Sequence, residues 1–369
     1  MADQFQIIEA DGIKVTLDLA AGHLRSFEID HNGHLIKPLH TAPWVDDPTI
    51  RNDPDIPVVL KHLSGDFFCA PFGESDVDDG PPHGWSANSP WRFEGEEEKP
   101  GGKAARFVLD HDVQGARLVK ELTLRDGHPF LYVSHRFDGG SGAISVASHA
   151  MTRFETRGRL SFSAKSFADL PDEQTEPDPA RGHSVFARSA RFTDLSKLPL
   201  ADGGTADLRD YPIAERHEDL VMLVEVDGTS LGWTAAARFD QGDLMLSLKN
   251  PAELPVTFLW FSNAGRDYAP WNGRHRGVLG IEEGRAFSIY GHAASINPNP
   301  LSDAGIPTSI TLDSSSSVTV RHILGGVPLP TGWRDIESIH AADGSLRLTN
   351  PEGAAVDHPF DDKFLAAGG

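Results

Sequence analysis

The sequence predicts an all-β protein, a large antiparallel sandwich or barrel, and three observations carry that prediction. Apolar and polar residues alternate with the period of a half-buried strand. Ile13, Val15, Leu17 and Leu19 alternate with Lys14, Thr16 and Asp18, and Leu244, Leu246 and Leu248 with Asp243, Met245, Ser247 and Lys249. Turn dipeptides punctuate the chain at Asp11-Gly12, Asn32-Gly33, Asp126-Gly127, Gly139-Gly140, Asp202-Gly203, Asp227-Gly228 and Asp343-Gly344. Glycine there permits the positive φ that tight hairpins need. No long stretch carries a convincing helical period.

Along the chain, two stretches interrupt the strand pattern. Residues 41–57 and 172–182 are rich in proline and acidic residues and read as exposed loops. The pattern resumes in the same style on either side, so neither divides the chain. Residues 297–307 carry three prolines and read as a connection to the last strands. Residues 1–330 are therefore expected to form one β-sandwich domain. Residues 331–369 read as a C-terminal extension packed on that domain, with one more strand at Ser345-Leu346-Arg347-Leu348 and fraying after Phe364.

Composition bounds the function. A chain of 369 residues can bury a large core. Its 33 lysines and arginines against 54 aspartates and glutamates leave a formal charge of −21, a surface that repels phosphate backbones and anionic lipid. Nucleic acid and membrane are not expected as partners, and no apolar run has the length of a membrane span. Met1-Ala2-Asp3-Gln4 has neither the basic nor the apolar region of a signal peptide, so the cytoplasm is the expected compartment. Cys69, the single cysteine, sits among Phe67, Phe68 and Phe72 and reads as a small buried apolar residue. The seventeen histidines form neither His-x-His nor His-Glu-x-x-His, so no metal is expected. Nor is there a phosphate-binding glycine loop or a nucleophile elbow.

Three short motifs carry chemistry: Pro81-Pro82-His83-Gly84-Trp85, then Ser148-His149-Ala150, then Leu279-Gly280-Ile281-Glu282-Glu283. Two histidines and a carboxylate can supply an acid and a base to one pocket. A histidine in a strand is more often a satisfied polar group than a catalyst, and that reading stands beside the functional one. On a strand Glu282 and Glu283 point to opposite faces, so only one of them can belong to such a pocket. Residues 260–276 are dense in aromatic rings, amides and guanidinium groups, the mixture that binds sugars; a solvated loop is the equal alternative. A carboxylate or phosphate on a ligand would give Arg153, Arg266 or Arg276 a partner.

Taken in order, these motifs resemble those of the galactose mutarotase-like superfamily, which includes the aldose 1-epimerases. The family has a His-Gly motif in its first half, a second histidine near its middle and a Gly-x-Glu motif toward its C-terminus. His83-Gly84, His149 and Gly280-Ile281-Glu282 match these. Ala21-Gly22-His23-Leu24-Arg25-Ser26 resembles the family's early glycine turn, and Leu254-Pro255 with Phe258-Leu259-Trp260 resembles the strand before the glutamate. The resemblance covers residues 5 to 325 and implies a large antiparallel β-sandwich (a supersandwich) with a sugar groove on one sheet.

It further implies Glu282 as the base toward the anomeric hydroxyl, His149 as the acid toward the ring oxygen, and His83 as a donor that holds the sugar. Glu283 then faces solvent. The sequence departs from the family after His83-Gly84, where Trp85-Ser86-Ala87-Asn88 stands in place of an Ala-Arg pair, and after His149, where Ala150-Met151-Thr152 follows. An upstream sugar-contacting arginine of the family has no clean match, and Lys61 or His62 is expected in its region. Lys61, His62, Asp66, Trp85, Arg153, Asn263 and Arg266 are the expected substrate contacts.

Anomer exchange needs one base and one acid and no cofactor, and histidine holds either role near neutral pH. The expected partner is a small carbohydrate, and the sequence does not fix the oligomeric state. The expected function is an aldose 1-epimerase-like mutarotase, with a non-catalytic carbohydrate-binding protein, or a carbohydrate lyase or hydrolase, as the alternatives.

Overall fold

A computed structural model describes residues 4–287 and 289–366. Strands dominate, and every pairing between them is antiparallel. Two large sheets face each other. One runs, in spatial order, Asp210–Tyr211, Gly158–Phe162, Gly232–Arg238, Asp243–Lys249, Ser317–Pro328, Phe130–Gly139, Ala116–Arg125, Gly102–Leu109, Trp91–Lys99. The other runs Arg191–Phe192, Lys165–Asp169, His217–Glu225, Val256–Asn263, Val278–Arg285, Val146–Ser148, Phe68–Cys69, with Ala150–Arg153 also on Val278–Arg285. A four-stranded sheet, from Phe5–Ala10 to His34–Ile36, adds Ile13, Val15, Leu17 and Phe27 to the core between them.

Gly12, Gly33, Gly127 and Gly344 close hairpins with positive φ, where the sequence places them. Gly228 and Gly139-Gly140 also have positive φ but turn the chain between strands of different sheets, so they close no hairpin. The strands of the second sheet, by contrast, do not present one polar face. His217–Glu225, Val256–Asn263 and most of Val278–Arg285 are buried on both sides. One side, with Val221, Leu223, Leu259, Phe261, Leu279 and Ile281, packs into the sandwich. The other, with Leu220, Met222, Phe258 and Trp260, packs under Trp44, Val45, Ile50, Ile56 and Val59.

Two expectations are corrected here. Residues 41–57 are not simply exposed: Trp44 is fully buried, and Ile50 and Ile56 cover the outer face of the sheet. Glu283 does not face solvent: it is buried inside the sandwich, 2.6 Å from the Lys249 ammonium, and accepts from Ser247 Oγ and Thr257 Oγ1 at 3.0 and 2.7 Å. A strand covered on both faces has no solvent side to offer.

Residues 338–359 form a three-stranded sheet. Trp333, Ile336, Ile339, Leu346, Leu348 and Phe360 pack against Phe130, Tyr132, Leu244, Leu246 and Ile323 on the outer face of the nine-stranded sheet. Leu365 joins this cluster instead of fraying, and residues 367–369 lie outside the described residues.

Candidate active site

The outer face of the eight-stranded sheet holds a cavity of about 580 Å³, large enough for a sugar ring. His83, His149, Glu282 and Arg266 line it, with Phe67, Phe72, Trp260, Trp271 and Gln174. The strand register explains how distant residues meet. Ala147 pairs with Gly284 and Ala150 with Ile281, so His149 falls opposite Glu282 on the neighbouring strand. Its Nε2 lies 3.3 Å from Glu282 Oε1. Phe258 pairs with Glu282 from the other side, and Trp260 pairs with Gly280.

Gly280 keeps this floor open. A β-carbon there would stand 2.9 Å from Glu282 Oε1 and 3.1 Å from Trp260 Cβ, tighter than the carboxyl can tolerate in place. The His83 turn needs glycine for a different reason. Gly84 has φ 72°, and a β-carbon would sit 1.9 Å from the Ala70 carbonyl oxygen. His83 itself has φ 62°, a left-handed conformation that costs roughly 1–3 kcal/mol for such a residue. The turn is held by His83 N–H donating to Gly73 O at 2.7 Å, and by His83 O accepting from Ala70 N at 3.3 Å.

Aromatic rings fix the imidazoles. Phe67 stacks on His149 with centroids 4.4 Å apart and on His23 at the same distance. His83 meets His149 edge-on at 5.4 Å, and Trp260 does so at 5.5 Å. Burial penalises charge here, and among the described residues no lysine or arginine forms an ion pair with the Glu282 carboxyl. The Glu282 carboxyl is pushed well above the usual carboxylate range by burial. His149 is driven well below the usual imidazole range by burial and then by His83, and His83 is lowered to about 4 by burial and the Arg266 charge. Both directions favour a neutral Glu282–His149 pair that carries one proton. The Nδ1 atoms of His149 and His83 have no hydrogen-bond partner among the described residues.

Arg266 completes the wall. Its guanidinium lies 4.5 Å from the Trp271 ring centre, 3.4 Å from Glu218 Oε1, and donates to Thr175 O at 3.4 Å. Glu218, which the sequence reading passed over, is fully buried and accepts from Trp260 Nε1 at 2.5 Å and Ser262 Oγ at 3.0 Å. Ser262 Oγ in turn bonds His275 Nδ1 at 2.8 Å. The signal available was His217-Glu218-Asp219, three ionisable side chains opening an apolar strand. Gln174 was also missed, hidden in the acidic loop at 172–182. It is 1% exposed and its Oε1 accepts from Leu220 N.

The structure places the other proposed contacts elsewhere. Lys61 ends the short helix Val58–Lys61, whose Val59 and Leu60 line the cavity while the lysine does not. His62 is captured by Asp18, with Nδ1 2.7 Å from Oδ2. Asp66 faces the sandwich interior, accepting from Ser148 Oγ at 2.7 Å and bonding His322 Nε2 at 3.1 Å, because Ser148 points away from the face that carries His149. Trp85 stacks on His111 at 4.3 Å in a separate cavity of about 190 Å³. Arg153 is exposed at the end of its strand, in a hollow with Lys37, His40 and Glu155. Asn263 clamps backbone: its amide donates to Ala214 O and Glu215 O and accepts from Gly277 N.

Among the described residues no group of three or more potential ligands could hold a metal ion, and no helix is long and apolar enough to cross a membrane. No family model and no curated protein matches the sequence. Solved structures do match. A candidate aldose 1-epimerase of Escherichia coli K12 shares 12% identity over 88% of this chain and 99% of its own, with a TM-score of 0.58. A galactose mutarotase-like protein of Clostridium acetobutylicum shares 12% over 87% and 94%, at 0.57. A galactose mutarotase related enzyme of Lactobacillus acidophilus shares 13% over 89% and 98%, at 0.51. A shared course of the chain over nearly the whole of each partner, on paired antiparallel sheets, shows that this chain has the fold of these galactose mutarotase-like proteins.

Proposed function

We propose that the protein is an aldose 1-epimerase-like isomerase that interconverts the anomers of a small carbohydrate. The observation that carries this reading is the Glu282–His149 contact of 3.3 Å, buried in a sugar-sized cavity with His83 beside it. Ring opening removes the proton of the anomeric hydroxyl and delivers one to the ring oxygen; closure reverses both transfers. One proton on the pair is enough for the cycle. With the ring closed it sits on His149, and Glu282 is the base. With the ring open it sits on Glu282, the resting arrangement that burial favours. Hydroxyl donors of the bound sugar stabilise the carboxylate form in place of the water that burial removed. His83 orients the sugar and supports charge on its oxygens, and Trp260 and Trp271 offer faces to its C–H groups. No cofactor takes part in these steps.

The mutual contact of Glu282 and His149 also suits a second reading, a sugar-binding protein in which the two groups merely satisfy each other. The rate of α-to-β exchange of candidate aldoses, followed by NMR with the spontaneous rate subtracted, separates the two. Exchange above the spontaneous rate that is abolished in His149→Ala supports the isomerase. Tight binding without any acceleration assigns the fold here to binding alone.

A further inference from the structure

The wall of the cavity around Arg266 is richer in unused donors than a plain aldose requires. Gln174 is almost wholly buried, and its Nε2 has no hydrogen-bond partner among the described residues, although its Oε1 is anchored. The Nε of Arg266, on a side chain only 14% exposed, has none either. The two residues are tied together, because Arg266 Nη2 donates to the carbonyl of Thr175, next to Gln174. A buried donor without an acceptor is costly, so such a cluster marks where a ligand's acceptors belong. The Trp260 ring adjoins both ends of the cavity, at 5.5 Å from the His149 ring centre and 5.9 Å from the Arg266 guanidinium carbon.

We infer that Arg266 and Gln174 form a subsite for a carboxylate on the substrate, so that the sugar isomerised here is a uronate, with its anomeric carbon at Glu282 and its acid group at Arg266. The inference rests on the mutarotase reading for the first end of the sugar and on the donor cluster alone for the second. A planar carboxylate accepts from a guanidinium and an amide together. Glu218 does not compete fully for Arg266. Its oxygens are already engaged by Trp260 Nε1 and Ser262 Oγ, and burial raises its carboxyl toward the neutral form. The acidic residues at the mouth, Glu74, Asp76 and Glu173, are exposed to solvent, where screening weakens their repulsion.

Calorimetric titration of the intact protein with glucuronate, glucose and glucose 6-phosphate tests this without requiring turnover. Glucuronate should bind about 10-fold or more tightly than glucose, the scale of a charge-assisted hydrogen-bond pair. Arg266→Gln should bring that ratio close to one, and Gln174→Leu should lower it. Arg266→Lys, which keeps the charge and loses the fork, should fall between. Arg276→Ala, an exposed arginine off the cavity, should leave the ratio alone. A wild type that prefers glucose, or glucose 6-phosphate, to glucuronate overturns the inference, as does a preference that survives in folded Arg266→Gln. The mutarotase reading fails separately: glucuronate bound tightly but never exchanged keeps the subsite and removes the isomerase, whereas accelerated exchange of neutral aldoses without a uronate preference does the reverse.

Discussion

Glu282 and Glu283 are neighbours on one strand, equally buried, and they do opposite things. Glu283 points into the sandwich, where the Lys249 ammonium, Ser247 and Thr257 satisfy it, and where Glu225 and Lys165 extend the same network. Glu282 points into a cavity and meets only a histidine that burial keeps neutral. One side of the strand holds a charge fully compensated by protein. The other holds a carboxyl whose charged form lacks a partner until a ligand brings hydroxyl groups. Compensation marks structure, and its absence at a cavity marks chemistry.

The largest expected effect breaks the comparison at Glu282. Glu282→Gln keeps the shape and removes the base, so turnover in the anomer-exchange assay should fall by about 10²–10⁴-fold, the usual range for a general acid or base. Thermal stability should hold or rise, because the buried ionisable group has no cation to lose. Unchanged exchange in an active protein would show that another group is the base.

At Glu283 the expectation inverts. Glu283→Gln leaves Lys249 buried with only Glu225, 3.2 Å away, to compensate it. Removing one partner of a buried pair typically costs about 3–5 kcal/mol. Urea unfolding should show a loss near the lower end of that range, since Glu225 remains. Anomer exchange by the fraction still folded should be affected far less than in Glu282→Gln.

Gly280→Ala sharpens the contrast from beneath. The added methyl crowds the Glu282 carboxyl and the Trp260 side chain, not the core, so turnover should drop by about tenfold while the unfolding midpoint moves little. A destabilised but fully active variant would mean that the close contact relaxes without moving the carboxyl.

The sequence makes these two glutamates only half distinguishable. Period-2 alternation puts them on opposite faces, and the Gly-x-Glu resemblance selects Glu282. What alternation cannot show is that both faces are covered. The cover comes from residues 41–63, where Trp44, Ile50 and Ile56 lie scattered among prolines and acids and follow no period. Gln174 is obscured for the same reason, a buried amide within an acidic loop. Asp66 and Asn263 have the right residue types but serve Ser148 and the Ala214–Glu215 backbone, partners set by register and loop course that local pattern does not encode. The turns, by contrast, are legible because positive φ at glycine is a local requirement, though whether a turn closes a hairpin or, as at Gly228, carries the chain to another sheet is not.

The smallest expected effect is a flat line. An ordinary catalytic histidine would impose an inflection near 6.5 on the pH dependence of kcat/KM. In the proposed mechanism the working state is the pair holding one proton. It is lost at high pH when the last proton leaves, and at low pH when a second arrives. Burial raises Glu282 and lowers His149, so the order of an ordinary pair is reversed: the carboxyl sets the upper limit and the imidazole the lower one. Neither limit then belongs to an imidazole near its usual value. The rate of exchange should therefore show no loss on acidification through the usual imidazole range, after correction for the solvent-catalysed reaction. In Glu282→Gln the imidazole no longer shares a proton with a carboxyl, and any residual rate should depend on His149 alone. A clear inflection near 6.5 in the unmodified protein would mean that His149 titrates as a solvated imidazole. The neutral pair in the cavity, and with it the contrast between the two faces of the strand, would then be wrong.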